Sequence, residues 1–132
     1  MILRGRKIFP GIAEGEALVT SQGISFYGGV DPTKGVVIEQ NHELEGKSIS
    51  GKILVFPKGK GSTVGSYTLY RLKKNGSAPA GIINAECETI VAVGCIIAEI
   101  PCVDQIDISM IKNGAWVLID GNKSIVEIKD RL

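Results

Sequence analysis

Apolar positions in this chain come in short runs cut by glycine, proline and polar clusters, and the period of each run predicts an element. Residues 2–8 read as a short strand running toward Pro10. Residues 11–19 take on strand character in their second half. Residues 20–35 are rich in Ser, Gly, Asp and Pro and predict loops, with a brief apolar stop at Ile24-Ser25-Phe26-Tyr27 and a turn at Asp31-Pro32-Thr33-Lys34-Gly35. Val36-Val37-Ile38 is a short strand, and residues 41–47 are a polar connector. Ile53-Leu54-Val55-Phe56 is a buried strand, ended by Pro57 because proline cannot donate to a ladder.

The second half alternates. A helix is predicted over 63–74, with Val64, Thr68, Leu69 and Leu72 on one face. Lys73 and Lys74 suit its C-terminus, and Asn75-Gly76 supplies a left-handed stop. After Pro79, residues 80–83 form a strand. Residues 86–98 are small and apolar. Their β-branched content favours a strand, but their length and the acidic start at Glu86 and Glu88 favour a helix, which is the reading adopted. Cys87, Val91 and Cys95 would then share one helix face. Residues 100–103 form a short strand, 107–114 bring the chain around, and 115–128 are two strand runs about an Asp120-Gly121-Asn122 turn. The pattern predicts a mixed α/β fold, with two main helices on a mixed sheet or small barrel, in a single domain over 1–132.

Composition narrows the function classes. A chain of 132 residues with 44% hydrophobic residues can bury one core, and its net charge of +1 lacks the basic surplus of a nucleic-acid footprint. Glycine is abundant, 17 residues, which fits many tight turns. No apolar run reaches the roughly 18 residues that span a bilayer, so no membrane partner is expected. The basic start, Met1-Ile2-Leu3-Arg4-Gly5-Arg6-Lys7, has no long apolar stretch after it and does not read as a signal peptide. Three cysteines at wide spacing fit a reduced interior, and the expected compartment is the cytoplasm.

The densest candidate chemistry is the turn after residue 56. Lys58, Gly59, Lys60, Gly61, Ser62, Thr63 and Ser66 fall within nine residues, between a strand and a helix start. Unpaired N–H groups at a helix start favour an anion, and Lys58 and Lys60 add positive charge. Ser62 sits where backbone donors hold a side-chain oxygen, which is also where an ordinary cap serine sits. Other candidates are weaker. Gly46-Lys47-Ser48 ends like a P-loop, but Asn41 stands where the leading glycine belongs. Cys87, Cys95 and Cys102 are spaced by eight and seven, unlike familiar cluster runs, and read as packed core thiols. His42, the single histidine, reads as an exposed loop residue. No metal site is expected in this chain.

Four blocks carry a family resemblance across nearly the whole chain. Gly59-Lys60-Gly61-Ser62-Thr63-Val64-Gly65-Ser66-Tyr67-Thr68-Leu69-Tyr70 resembles the signature turn of the small subunit of aconitase X. Pro10-Gly11-Ile12-Ala13-Glu14-Gly15-Glu16-Ala17 resembles its opening. Ala78-Pro79-Ala80-Gly81-Ile82-Ile83 and Gly94-Cys95-Ile96-Ile97-Ala98-Glu99-Ile100-Pro101 resemble its later blocks. The resemblance implies a swivelling β/β/α domain related to the mobile domain of aconitase. It implies a hydro-lyase active only with a large subunit that carries an iron–sulfur (4Fe–4S) cluster. The expected reaction is dehydration of (R)-5-phosphomevalonate to trans-anhydromevalonate 5-phosphate, in archaeal isoprenoid biosynthesis. Ser62 would be the proton acceptor, with Lys58, Gly59, Lys60, Gly61, Thr63 and Ser66 as substrate-binding residues. Two rivals remain open at the level of sequence: a swivelling phosphocarrier, for which His42 is the available histidine, and a non-catalytic scaffolding subunit in which Ser62 is only a cap.

Overall fold

The computed structural model describes residues 1–129. Along the chain run β1 (Ile2–Arg4), β2 (Arg6–Phe9), β3 (Ile12–Val19), the single turn α1 (Phe26–Gly29), β4 (Ile53–Phe56), α2 (Gly65–Lys74), β5 (Gly81–Asn84), α3 (Thr89–Ala98), β6 (Cys102–Asp104), a 3-10 turn (Ile108–Met110), β7 (Trp116–Asp120) and β8 (Ile125–Lys129). The strands form an eight-stranded mixed sheet in the order β1-β8-β7-β3-β4-β5-β6-β2. From β3 to β6 neighbours are parallel, with residues 20–52 crossing from β3 to β4, α2 from β4 to β5 and α3 from β5 to β6, and the remaining pairs are antiparallel.

The two edge strands of that order, β1 and β2, are successive in the chain and separated only by Gly5. The sheet is therefore folded round so that its two ends meet at Gly5, although among the described residues no ladder pairs β1 with β2. The closure is tight: the Gly5 N–H donates to the Ser124 carbonyl at 2.9 Å, and a Cβ on Gly5 would fall inside contact distance of the Asp104 carbonyl oxygen. Beside it, Arg6 donates from Nε and Nη2 to the fully buried Asp104 carboxylate at 3.0 and 2.8 Å, and the Cys87 N–H donates to the same carboxylate at 2.8 Å. The strand expected over 2–8 is thus two strands that reach opposite edges of one sheet.

Period-two alternation divides the core. Ile53 and Val55 join Ile83, Val103, Val117, Ile119 and Val126 within the sheet's closed side. Leu54 and Phe56 join Leu69, Leu72, Val91 and Cys95 beneath the helices. Full burial of a side chain of this size is worth about 1.5–3 kcal/mol, so β4 is anchored from both faces.

Helix α2 ends as its sequence requires, with Asn75 at the cap, Gly76 at φ +72° and the Ser77 N–H returning to the Leu72 carbonyl at 2.9 Å. Its first regular residue is Gly65, because residues 63–64 form a tighter turn. Helix α3 begins at Thr89 and not at residue 86. Glu88 is its cap, accepting from the N–H groups of Ile90 and Val91 at 2.8 and 2.9 Å. Cys87 therefore precedes the helix and does not share a face with Cys95. Residues 36–38 make only isolated bridges, Val30 with Val37 and Val36 with Ser48, and not a strand. Strand β3 is extended over its full length, since its first half pairs with β7 and its second with β4. Strand β6 starts two residues later than expected, and the hairpin of β7 and β8 matches its pattern. Among the described residues, no helix is long and apolar enough to cross a membrane.

Closure through Gly5 makes a direct prediction. Gly5→Ala must displace the backbone of β6 and should lower stability by about 1–3 kcal/mol, read as a fall in the urea midpoint. An unchanged midpoint would show that the two edges are not in contact there.

Candidate functional site

The turn of residues 57–64 leaves the sheet at the C-terminal end of β4, a parallel strand, which is the end at which α/β folds place ligands. Two contacts fix its departure. Asn84 Nδ2 donates to the Phe56 carbonyl at 2.9 Å, and the Pro57 carbonyl accepts from the N–H groups of Ala85 and Glu86, both at 3.1 Å. Gly59 is then buried against Glu88 and Val91, where no side chain would fit.

The outer wall comes from a distant part of the chain. The Ile24 N–H donates to the Lys58 carbonyl at 3.3 Å, and the Lys60 N–H donates to the Ile24 carbonyl at 3.0 Å, so one residue is bridged on both sides of Gly59. Lys60 Nζ pairs with Glu39 at 2.9 Å. Gly61 adopts φ +87°, and a Cβ there would collide with the Ser25 hydroxyl. Only glycine meets both conditions cheaply.

Ser62 follows, exposed, at the start of the helical turn. Its Oγ accepts the Val64 N–H at 3.2 Å, and its carbonyl accepts the Gly65 N–H at 3.0 Å. Among the described residues, the N–H groups of Gly61, Ser62 and Thr63 have no hydrogen-bond partner. Open donors at a helix N-terminus favour an anion. Lys58 and Thr63 are exposed beside it, and among the described residues the Lys58 ammonium has no ion-pair partner. The structure thus brings Lys58, Gly59, Lys60, Gly61, Ser62 and Thr63 into one edge. Ser66 lies apart from it. That side chain is buried and its hydroxyl donates to the Ile90 carbonyl at 2.7 Å, joining α2 to α3.

His42 is the clearest departure from the sequence reading. It is buried, not exposed. Nδ1 accepts the Leu44 N–H at 3.0 Å, which places the ring proton on Nε2, and Nε2 donates to the Gly23 carbonyl at 3.0 Å. With both nitrogens engaged, the residue needed by a phosphocarrier is a structural pin. Next to it, Glu43 accepts from the Thr20 hydroxyl and, at 2.7 Å, from the Ser21 N–H, while its own N–H donates to Gln22 Oε1 at 3.0 Å. The clamp holds residues 20–24, and those hold the turn. Sequence reasoning missed Ile24, Ser25, Glu39 and His42 as supports. The only signal was the apolar stop at 24–27, since partners 19 to 36 residues apart leave no local period.

The cysteines do not form a cluster site. Cys95 and Cys102 are buried and Cys87 is half-buried. Hydrogen bonding to Cys102 and burial push the Cys87 thiol up; the Cys87 hydrogen bond draws Cys102 down, but the Cys95 hydrogen bond and burial outweigh it and Cys102 is raised as well. Among the described residues, no group of three or more His, Cys, Asp or Glu side chains could hold a metal ion. These residues do not fit an iron–sulfur cluster.

With this geometry in view, the chain's relatives can be compared. A family model described as the aconitase X swivel domain matches residues 2–128. A Thermococcus onnurineus protein named phosphomevalonate dehydratase small subunit is 54% identical over 130 residues, covering 98% of this chain and 100% of its own. A Methanosarcina acetivorans protein of the same name is 56% identical over 129 residues, covering 96% and 90%. The crystal structure of Thermococcus kodakaraensis aconitase X in its holo-form matches with a TM-score of 0.97 at 54% identity, covering 98% of this chain and 99% of that one.

The clamp generates two expectations. His42→Ala removes two buried hydrogen bonds and should cost about 1–3 kcal/mol, measured by thermal or urea unfolding; no loss would mean that the pin carries no load. The Thr20 hydroxyl and the Ser21 N–H hold the Glu43 carboxyl below its ordinary value of 4.5. A depressed folded value means that its stabilisation is complete above 4.5 and is lost as pH falls through that folded value. Glu43→Gln should therefore flatten the acid limb of the stability–pH curve, and an unchanged limb would contradict the assignment.

Proposed function

The chain belongs to the aconitase X swivel-domain family, and on that premise we propose that it is the small subunit of a cytoplasmic two-subunit hydro-lyase that removes water from (R)-5-phosphomevalonate, giving trans-anhydromevalonate 5-phosphate, with Ser62 as the proton acceptor. The reading is carried by one observation above the others: an exposed hydroxyl that already accepts the Val64 N–H, at the head of a helix, beside three open backbone donors and an exposed lysine.

Loss of water from a β-hydroxy acid breaks a C–H and a C–O bond. The C–H electron pair becomes the new double bond, the proton goes to a base, and hydroxide leaves. The base is the serine alkoxide, which forms by loss of the hydroxyl proton to solvent only where the oxyanion is stabilised, and which becomes the hydroxyl again on taking the C–H proton. The Val64 N–H, the positive end of α2 and the Lys58 ammonium supply that stabilisation to Ser62 Oγ. The N–H groups of Gly61, Ser62 and Thr63, with Lys58, suit a substrate carboxylate or phosphate. Lys60, tied to Glu39, keeps the turn's outer strand in place and adds positive charge. The cluster of the partner subunit would contribute Lewis acidity toward the leaving hydroxyl. The fold's own share is to hold one oxygen and one anion cradle on a rigid edge that a large subunit covers.

A second reading is favoured by the same hydrogen bond, because a serine accepting the N–H two residues on is also an ordinary helix cap. The two differ in outcome. In a complex reconstituted anaerobically with the large subunit and assayed on 5-phosphomevalonate, Ser62→Ala should assemble normally and lose about a hundredfold or more in turnover, with a stability loss of about 1 kcal/mol. Near-full turnover would leave Ser62 as a cap and remove it from the chemistry.

A further inference from the structure

Helix α3 carries no charged side chain. It reads Thr89-Ile90-Val91-Ala92-Val93-Gly94-Cys95-Ile96-Ile97-Ala98. A helix apolar on all sides belongs in an interior. Here only one stripe is inside: Val91, Gly94, Cys95 and Ala98, at helical spacing, pack toward the core. A second stripe of the same spacing, Ile90, Val93 and Ile97, faces outward, with Val93 and Ile97 exposed at 41% and 38%, and Ile96 beside them at 50%. Val64, in the turn before α2, and Tyr67 on α2 continue it, exposed at 45% and 66%. Ile90, Val93 and Ile97 line one groove between the two helices with Thr63, Val64 and Tyr67.

We propose that this groove is the docking surface for the large subunit, which seats an apolar segment of its own along Ile90, Val93 and Ile97. The inference rests on the function proposed above and adds the location of the interface. Continuity identifies the occupant. Thr63 and Val64 belong both to the groove and to the turn that presents Ser62, so a chain that seals Ser62 from water must also lie over the groove's mouth. A second copy of this chain is the alternative occupant, and sedimentation in the test below separates it from the large subunit. An interface with an apolar centre and a polar rim is the usual form of a lasting assembly, and here Lys58, Lys60 and the backbone donors form the rim on the side of the site.

The test is the affinity of the full-length chain for the large subunit, by titration calorimetry or by co-purification from joint expression. Val93→Glu and Ile97→Asp should each raise Kd about thirtyfold or more while leaving the melting temperature of the free chain near wild type, because both side chains are exposed. If either variant fails to fold, Val64→Asp at the opposite rim carries the test. Ile12→Lys alters a more exposed apolar residue, on β3, and should leave the affinity unchanged. Variant affinities within threefold of wild type would overturn the proposal. So would a wild-type chain that does not bind the large subunit, or one that sediments as a homodimer which these variants dissociate. If the variants abolish binding but the wild-type complex does not dehydrate 5-phosphomevalonate, the interface stands and the assigned reaction falls.

Discussion

Strand β4 has no exposed face, and the rest of the site follows from that constraint. Ile53 and Val55 are locked within the closed sheet, Leu54 and Phe56 lie beneath the helices, and all four are fully buried. The chain can leave the strand in one direction only, at Pro57. A turn that starts from so fixed a point takes its position from the strand. Bulk would spoil this. Gly59 lies against the Glu88 cap and Gly61 against Ser25, so the glycines are the clearance on which the position of Ser62 depends.

Around this anchor the supports are arranged in series. His42 and Glu43 hold residues 20–24, Ile24 bridges the turn, and Glu39 holds Lys60. Each link is a hydrogen bond or ion pair between segments far apart in the chain. Each is worth little alone, about 1 kcal/mol, but together they leave the turn few alternatives. The Arg6–Asp104 pair does similar work at the sheet's seam, and reaches the other side of the site through the N–H of Cys87.

What could be read from the sequence was whatever has a short period. The run at 53–56, the hairpin about Asp120-Gly121 and the Asn75-Gly76 stop declare themselves within a few residues. The site turn was legible for the same reason, as a strand, glycines and a helix start in succession. The break at Gly5 was not legible, because a glycine in a strand does not say which two edges its flanks will reach. Nor was the burial of His42, whose partners at Gly23 and Leu44 only a folded chain brings together. Ser66 was read as part of the turn because it is near in sequence, but helical geometry turns it toward Ile90. The start of α3 was misjudged by three residues because three acidic or polar positions compete for the cap, and only Glu88 has its carboxylate over the first N–H groups.

The division of labour proposed for the two subunits gives α3 its physical meaning. A charge-free helix with one stripe outside is a cost to an isolated chain and an asset to half of an assembly, and it lies beside the edge that needs covering. The most direct measurement is a crystal structure of the reconstituted complex with 5-phosphomevalonate bound. The account predicts Ser62 Oγ about 3–3.5 Å from the carbon that loses its proton, with the Ile24 bridge intact and α3 under the large subunit. A substrate bound elsewhere, with Ser62 turned to solvent in the assembled enzyme, would contradict it.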